Sequence, residues 1–281
     1  MKSNSESPEK YDLAAAYRIY PKVSKVPPVF SDDKYKLSEL CFKSFAKSLG
    51  DLKVKLWVIL DGCPHEYKDI FTRHFDEKEI IFIETDAIGN YGTYRKQIEI
   101  LTSQDFSELV YFAEDDYFYL SGQFHHLTDF MKSNDEAEFV TAYDHLDYYN
   151  SIIHDYKSKI IVKGERHWRT VSATCITFLA KKKSLLELKD VFLTYSDKKN
   201  YDASYWTAIT KIQAFNFPLF IRILNQPAFI KVYIKAWLFC WKQILFGKKR
   251  KLYAPMPSIA THMNVDFLAP TIDWYKYFEE Y

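Results

Sequence analysis

The chain has 281 residues and a formal net charge of +1 at pH 7, and its length allows one large α/β domain with a substantial core. It contains 22 Tyr and 22 Phe but only 7 Gly, which is typical of a packed globular protein and excludes a disordered or low-complexity chain. The near-zero net charge excludes a globally basic nucleic-acid binder.

The N-terminus and the cysteines predict a cytoplasmic protein. The first residues, MKSNSESPEK, are polar and lack the apolar run of a secretory signal, so we predict a mobile tail over residues 1–12. The four cysteines are scattered and form no CxxC pair, which predicts reduced and mostly buried thiols. They are Cys41, Cys63, Cys175 and Cys240.

The first 120 residues alternate apolar runs with helical patterns. AAYRIYP predicts a strand ended by Pro21, and the next stretch predicts a helix capped by Ser31 or Asp32 and ended by Gly50. VKLWVILDG, EIIFIETD and ELVYFAEDD predict strands, separated by helices over about residues 65–75 and over GTYRKQIEILTSQ. Uninterrupted apolar strands between helices predict a mostly parallel central sheet, Rossmann-like, with helices on both faces.

The pattern is less regular beyond residue 135. AEFVTAYDHLDYY and TVSATCITFLA have the composition of strands, whereas KKSLLELKDVFL and DASYWTAITKI have helical spacing. We expect this half to continue the sheet and to form the wall of a second binding site.

Acidic residues fall where the predicted parallel strands end. Asp61, Asp86 and the run Glu114-Asp115-Asp116 all lie at carboxyl ends, the edge at which such sheets bind ligands. Three adjacent carboxylates repel one another, and a divalent cation with oxygen ligands would offset that repulsion. The alternative interpretation is a solvated strand end or a helix N-cap.

The order of RIYP, VILDG, a GN loop that opens a helix and an apolar strand ending in EDD resembles the glycosyltransferases of the GT-A fold, in particular the family-2-like bacterial enzymes. The EDD run is also similar to the DXD-type metal motif of N-acetylglucosaminyltransferases that act on N-glycans. The resemblance is strongest at residues 105–132 and in PMPSIATHMN.

The resemblance implies a transferase that uses Mn²⁺ or Mg²⁺ to move a sugar from a nucleotide-sugar donor, with a UDP-sugar favoured, to a glycan or lipid-linked acceptor. A role in bacterial surface polysaccharide or lipopolysaccharide assembly follows by analogy. It implies a catalytic domain over residues 13–226, with a donor half to about residue 120 and an acceptor half from 121. Residues 252–281 would complete the active site.

The resemblance also assigns roles to single residues. Asp61 matches the residue that contacts the nucleotide base, Asp115 the one that faces the ribose or donor sugar, and Asp116 the metal ligand. The residues expected to bind the nucleotide-sugar are Pro21, Asp61, Asn90, Arg95, Glu114 and Asp115. For Arg95, expected at the diphosphate, the alternative is a surface helix pair with Glu99.

His262 is the second expected metal or diphosphate ligand, because enzymes of this fold often use a late histidine there. It follows Pro255 and Pro257 in a segment that the sequence predicts to be a loop. The alternative is an ordinary hydrogen-bonded histidine. We interpret the adjacent pair His125 and His126 as structural or solvated.

Asp202 is the expected general base, because it lies at a predicted helix start where inverting enzymes of this fold place such a residue. The alternative is a simple N-cap. Asp144 and Asp147 are reserve candidates and expected acceptor-binding residues. Trp206 is expected to stack on an acceptor sugar, although core packing explains it equally well.

Residues 227–251 contain seven Lys or Arg and no acidic residue. On a helical projection Lys231, Lys235 and Lys242 cluster on one side, with Trp237 and Trp241 expected on the other. This pattern favours an amphipathic helix at a membrane surface and disfavours a membrane span. The alternative is a helix packed on protein with its lysines in water.

Two other functions remain open from the sequence. A sugar nucleotidyltransferase shares a related nucleotide-binding sheet, but RIYPKVSKVPP lacks the glycines of its phosphate loop. A non-catalytic glycan-binding or scaffold protein on the same fold is the other candidate. The donor sugar, the nucleotide base and the oligomeric state do not follow from the sequence.

Overall fold

The computed structural model describes residues 10–281, so residues 1–9 of the predicted tail lie outside the described residues. The described chain folds into strands and helices that alternate through the first half and mix less regularly afterwards. The strands are β1 Leu13–Ile19, β2 Val54–Asp61, β3 Ile80–Thr85, β4 Leu109–Glu114, β5 Tyr117–Tyr119, β6 Phe139–Val140, β7 Ile160–Lys163, β8 Arg166–Val171, β9 Phe178–Lys181, β10 Leu252–Met256 and β11 Ala260–His262.

The helices cover both faces of the sheet, as the continuous apolar strands predicted. They are α1 Lys34–Leu49, α2 Lys68–Thr72, α3 Gly89–Ser103, α4 His125–Ser133, α5 Asp147–Asn150, α6 Lys182–Glu187, α7 Lys189–Ser196, α8 Asp202–Thr210, α9 Phe217–Arg222, α10 Pro227–Phe246 and α11 Trp274–Glu279. The predicted helix near residues 65–75 is a 3₁₀ turn that leads into the short α2.

The large sheet has the strand order β3-β2-β1-β4-β9-β6-β10-β8-β7. Its first four strands are parallel, as is the β6–β10 pair, whereas β9, β8 and β7 pair antiparallel with their neighbours. The α/β class with a mixed, mostly parallel central sheet is therefore confirmed. Because β1, β2 and β4 are parallel neighbours, their carboxyl ends share one edge, and that edge is where the acidic residues lie.

Two apolar clusters lie on opposite faces of the sheet. Alternate residues of β1 divide between them, with Tyr17 in the cluster beneath α1 and Ala16 in the cluster that contains Phe112 and Trp206. The four cysteines are free, and Cys41 and Cys240 are buried, as predicted.

The start of α1 differs by one residue from the prediction. Asp33, and neither Ser31 nor Asp32, is the N-cap, because its carboxylate accepts a hydrogen bond from the backbone N of Lys36 at 3.0 Å. Gly50 ends the helix with a φ of 58°, which favours glycine and confirms the predicted stop.

Two predicted strands of the second half are shorter than expected. The stretch AEFVTAYDHLDYY forms only the two-residue β6 and then the short α5, while TVSATCITFLA contains the end of β8, a loop and β9. A single apolar run covers parts of two strands here because the loop residues between them are also packed against the core, among them Ile176. Amino-acid composition alone therefore does not show where β8 ends and β9 begins.

The segment around His262 is a strand and was wrongly predicted as a loop. β11 pairs antiparallel with β5, and His262 lies opposite Tyr117 in the register. β5 follows the acidic run almost immediately, so this small two-stranded sheet brings the C-terminal region to the end of β4. β5 and β11 lie far apart in the sequence, so a local sequence pattern does not reveal that they pair.

The apolar face predicted for residues 227–251 is divided into two. Tyr233 and Ile244 are buried against the domain, whereas Ile234 and Trp241 lie on an exposed stripe of α10. Within residues 10–281 no helix combines the length and apolar character needed to cross a membrane.

Candidate functional site

A cavity of about 560 Å³ opens at the carboxyl ends of β1, β2 and β4. Loops after β1 and β3, the start of α8 and the end of β11 form its other walls. Seven of the residues singled out in the sequence line this cavity: Asp61, Asn90, Glu114, Asp115, Asp116, Asp202 and His262. The fold thus brings together side chains from five separate segments of the chain.

Glu114, the last residue of β4, is held by a cation from the neighbouring strand. The Arg18 guanidinium, nearly buried at the end of β1, donates to one carboxylate oxygen, and Thr177 Oγ1 donates to the other at 2.7 Å. Arg18 also donates to the backbone oxygen of Asn90 at 2.9 Å. Burial raises the pKa of the Glu114 carboxyl and the Arg18 charge opposes that shift.

Asp115 has a separate cationic partner on α1. Lys34 Nζ lies 2.6 Å from its Oδ2, and the backbone N of Tyr20 donates to the same oxygen at 3.2 Å. Burial raises the pKa of this carboxyl as well, and the Lys34 charge opposes the shift. Asp115 therefore ties the loop after β1 to the first turn of α1.

Asp116 is paired with the imidazole of His262, whose Nε2 lies 3.2 Å from Oδ2. The backbone N of Met263 also donates to the Asp116 carbonyl oxygen at 2.8 Å, so the pairing of β5 with β11 fixes both residues. Burial raises the pKa of Asp116, but the His262 charge and hydrogen bond outweigh it and lower the pKa to about 2. Asp116 is therefore a carboxylate at neutral pH.

The second oxygen of Asp116 suits a metal ion. Its Oδ1 is buried and has no hydrogen-bond partner among the described residues, so an acceptor atom is left unsatisfied beside the cavity. A carboxylate and an imidazole are both ordinary ligands of Mn²⁺, and carboxylate oxygen is the ligand that Mg²⁺ prefers. Within residues 10–281 no three His, Cys, Asp or Glu side chains form a complete metal site. A diphosphate and water would have to supply the remaining ligands.

Asp61 lines the cavity but its carboxylate is already hydrogen-bonded. Oδ1 accepts from the backbone N of Ile88 at 2.7 Å and from Thr85 Oγ1 at 2.8 Å, and Oδ2 accepts from the backbone N of Gly89 at 2.8 Å. These bonds satisfy free N–H groups at the start of α3. The contact with a nucleotide base, implied by the resemblance, stays a prediction beside this structural role.

Asp202 is the first residue of α8 and is partly buried at the cavity wall. It is not the N-cap, which is Tyr201; its Oδ1 accepts from the backbone N of Ala203 at 2.7 Å. Burial raises the pKa of its carboxyl, while the Ala203 N–H and the Lys25 charge oppose the shift. The predicted helix start is therefore confirmed, whereas the role of Asp202 as general base stays a prediction.

Arg95 and Pro21 do not reach the cavity. Arg95 forms an ion pair with Asp197 on the outer side of α3, so the structure places it neither at the diphosphate nor in the alternative pair with Glu99. Pro21 is not a lining residue, although Tyr20, Ser24 and Lys25 from the same loop are. For both residues the direct contact with the nucleotide-sugar stays a prediction, without support from the cavity lining.

The three expected acceptor-binding residues lie outside this cavity. Trp206 is fully buried and packs edge-on against Phe139 and Phe178, so it has no free face for a sugar and is a core residue. Asp144 is also buried, in an ion pair with Arg169, which corrects its expected role. Asp147 begins α5 and remains partly exposed, so its role in acceptor binding stays a prediction.

Arg18, Lys34, Lys25 and Tyr195 were missed in the sequence. Arg18 and Lys34 neutralise two carboxylates of the acidic run, and Tyr195 accepts a hydrogen bond from Asn90 Nδ2 at 2.9 Å. The signal for Arg18 was a cation at the end of an otherwise apolar predicted strand. Lys34 gave no comparable signal, because lysines in the first turn of a helix are common on surfaces.

Comparisons with known proteins give fold-level likeness only. No family model matches the chain, and no curated protein matches it. Solved structures that it is similar to include S. aureus TarS (residues 1–349) in complex with UDP-GlcNAc, with 12% identity and a TM-score of 0.40 over 63% of this chain. The mannosyltransferase PcManGT from Pyrobaculum calidifontis, in complex with GDP-Man and Mn²⁺, has 11% identity and a TM-score of 0.44 over 88% of this chain. The chain spans 47% of the TarS fragment and 74% of the mannosyltransferase.

Proposed function

We propose that this protein is a metal-dependent glycosyltransferase of the GT-A type that moves a sugar from a nucleotide-sugar donor to an acceptor hydroxyl. The observation that carries the proposal is the unsatisfied, buried Oδ1 of Asp116 beside a cavity that also contains Asp202. The cavity therefore contains an ionised carboxylate with a free oxygen, that of Asp116, and a carboxyl with a raised pKa, that of Asp202. The first suits metal binding and the second suits proton transfer.

Asp116 would hold Mn²⁺ or Mg²⁺ together with His262, whose imidazole would first lose the proton that it shares with Asp116. When bound, the metal would offset the charge of the diphosphate leaving group. Asp202 accepts the proton of the acceptor hydroxyl, and the hydroxyl oxygen then forms a bond to the anomeric carbon. The bond from that carbon to the diphosphate oxygen breaks, so the nucleotide leaves with the bonding electrons. Attack from the side opposite the diphosphate inverts the anomeric centre.

Other cavity residues position these groups. The charges of Arg18 and Lys34 oppose the rise that burial causes in the pKa of Glu114 and Asp115, and the two ion pairs hold the end of β4 against β1 and α1. Asp115, Asn90 and Asp61 line the same cavity, where Asp115 would face the ribose or donor sugar and the other two would contact the nucleotide. Lys25, exposed on the loop after β1, is a cavity cation suited to contact the diphosphate.

We further infer the cellular setting from the same reasoning. A UDP-sugar is the favoured donor, and the acceptor is a glycan or lipid-linked sugar of bacterial surface polysaccharide or lipopolysaccharide assembly. The protein acts in the cytoplasm at the inner face of the membrane, with residues 227–251 nearest the lipid.

The test is nucleotide release from a panel of UDP-, GDP-, dTDP- and CMP-sugars in Mn²⁺, first with water as acceptor. Asp202→Asn should lower turnover about 10²- to 10⁴-fold without weakening nucleotide binding, because it removes only the proton acceptor. Asp197→Asn is the matched control, since Asp197 pairs with Arg95 outside the cavity, and it should retain activity. Tight nucleotide binding with no turnover of any donor would favour the non-catalytic alternative. Full activity of Asp202→Asn would assign the base to another residue.

A further inference from the structure

A continuous apolar face covers α9 and the outer side of α10. On α9, Phe217, Phe220 and Ile221 share one side at helical spacing, and Phe217 and Ile221 are 72% and 66% exposed. The opposite side of α9 is buried through Leu219 and Ile223. The helix is therefore packed normally and still presents large apolar side chains to the outside.

The outer stripe of α10 continues this face. Ile234, Leu238, Trp241 and Leu245 follow one another at spacings of four, three and four residues and are all exposed. A groove of about 560 Å³ joins the two helices, lined by Phe217 and Phe220 from α9 and by Ile234 and Leu238 from α10 among others. We call this surface, from α9 through the groove to the α10 stripe, the α9–α10 face. The groove joins the exposed side chains of α9 to the first half of the α10 stripe, and large exposed apolar patches mark interaction sites.

Basic residues border the apolar stripe. Lys231 and Lys235 lie on α10 about 40° apart at 100° per residue, and Lys242 follows the kink at Cys240, whose φ of −125° and ψ of 19° are not helical. Residues 203–265 contain nine Lys or Arg and no Asp or Glu. The segment that contains α9 and α10 therefore carries only positive charges, of which Arg222 pairs with Asp155.

We propose that the α9–α10 face docks flat on an anionic lipid bilayer, with the groove receiving lipid acyl chains and the lysines contacting the headgroups. Interfacial helices combine these features: bulky apolar and aromatic side chains on one side and lysines beside them. This proposal adds α9 and the groove to the segment that the sequence indicated. It stands on the surface alone and does not require the transferase activity.

A second copy of the chain fits this face poorly. A two-fold dimer would place the same surface on both sides of the interface, so the lysines of one copy would lie close to those of the other. Like charges that face each other across an interface oppose association. An anionic bilayer supplies the opposite charge along the entire lysine border, and that complementarity is why we choose it as the occupant.

The face is linked to the cavity by one contact. Lys235 Nζ lies 4.1 Å from the centroid of the Tyr201 ring, and Tyr201 directly precedes Asp202. Docking would therefore hold the start of α8 near the lipid headgroups. If the proposed function holds, this is where an acceptor with a lipid anchor would present its hydroxyl.

The experiment is vesicle flotation of the full chain, with phosphatidylcholine vesicles and with vesicles that also contain phosphatidylglycerol. Wild type should float with the anionic vesicles and bind the neutral ones weakly. Ile234→Ser/Leu238→Ser/Trp241→Ser should abolish flotation. Lys231→Gln/Lys235→Gln/Lys242→Gln should weaken binding about a hundredfold, from the effect of three lysines at an anionic surface.

The matched control is Ile160→Ser/Val162→Ser on β7, where both side chains are similarly exposed at 59% and 67%, and it should bind as wild type does. Near-ultraviolet circular dichroism of each variant verifies the fold. The proposal is overturned if wild type does not float with anionic vesicles, or if the Ile234→Ser/Leu238→Ser/Trp241→Ser variant floats as wild type does. A lipid-free dimer that the serine variant loses would instead make the face a self-interface. None of these readouts depends on sugar transfer, so a failure here is distinct from a failure of the proposed function.

Discussion

Three consecutive carboxylates are stable at the end of β4 because each has its own cationic partner. Arg18 pairs with Glu114, Lys34 with Asp115 and His262 with Asp116, and the three partners come from β1, α1 and β11. The sequence predicted a divalent cation as the reason that such a run is tolerated. The structure shows that protein cations satisfy most of the run and that one oxygen of Asp116 is left over.

Removal of one partner of the Arg18–Glu114 ion pair is expected to destabilise the fold more than removal of both. Arg18→Met should lower the free energy of unfolding by about 3–5 kcal/mol, because it leaves the Glu114 charge buried without its partner. Arg18→Met/Glu114→Gln should recover part of that loss, since no unpaired charge remains. Urea denaturation measures both. A double variant no more stable than the single variant would contradict this explanation.

His154 predicts an acid-dependent loss of stability. Burial lowers the pKa of its imidazole to about 3, and Nδ1 lies 3.1 Å from Ser172 Oγ. Below the ordinary pKa of about 6.5 the unfolded chain binds a proton that the folded protein does not, so stability falls as pH falls from about 6.5 towards 3. His154→Gln should flatten that part of the profile of unfolding free energy against pH. Identical slopes for the two proteins would contradict the prediction.

The sequence predicted those helices and strands whose own residues carry the pattern of burial. The apolar runs of β1, β2 and β4 and the spacing of α1 and α3 predicted those elements, because burial of a strand or of one helix face leaves a periodic pattern. β11 did not follow, because its partner β5 lies far away in sequence and the preceding Pro255 and Pro257 indicate a loop. Likewise, the helical projection of residues 227–251 predicted one apolar face, and only tertiary packing shows which apolar residues are buried.

Two tryptophans of neighbouring helices test the difference between buried and exposed apolar residues. Trp206 on α8 is fully buried among aromatic rings, so Trp206→Ala should lower the free energy of unfolding by about 3–5 kcal/mol. Trp241 on α10 is 44% exposed, and Trp241→Ala should change stability by about 0.5 kcal/mol or less in the absence of lipid. Urea denaturation compares them directly. Equal losses for the two variants would show that the outer stripe is covered by protein.

At the level of the whole molecule, the candidate site is assembled from the ends of strands that the topology places side by side. The sequence identified Asp61 and Asp116 because acidic residues at the carboxyl ends of parallel strands lie at one edge of the sheet, whereas Asp202 was identified from the resemblance alone. Trp206 was misplaced because residue type and helix position do not tell which side of a helix faces the cavity. The neutralising cations were missed since their pairing depends on strand order, which no local pattern specifies.

The central claim is that Asp116 belongs to a metal-dependent nucleotide site. It is tested most directly by thermal-shift binding of UDP, GDP, CMP and dTDP, each with and without Mn²⁺, to wild type, Asp116→Ala and the control Asp197→Ala. One nucleotide should stabilise wild type and the control only when Mn²⁺ is present, by about 2.7 kcal/mol at a concentration of about 100 times Kd, and should fail to stabilise Asp116→Ala. No stabilisation of wild type by any nucleotide with Mn²⁺, or equal stabilisation of Asp116→Ala, would contradict the claim.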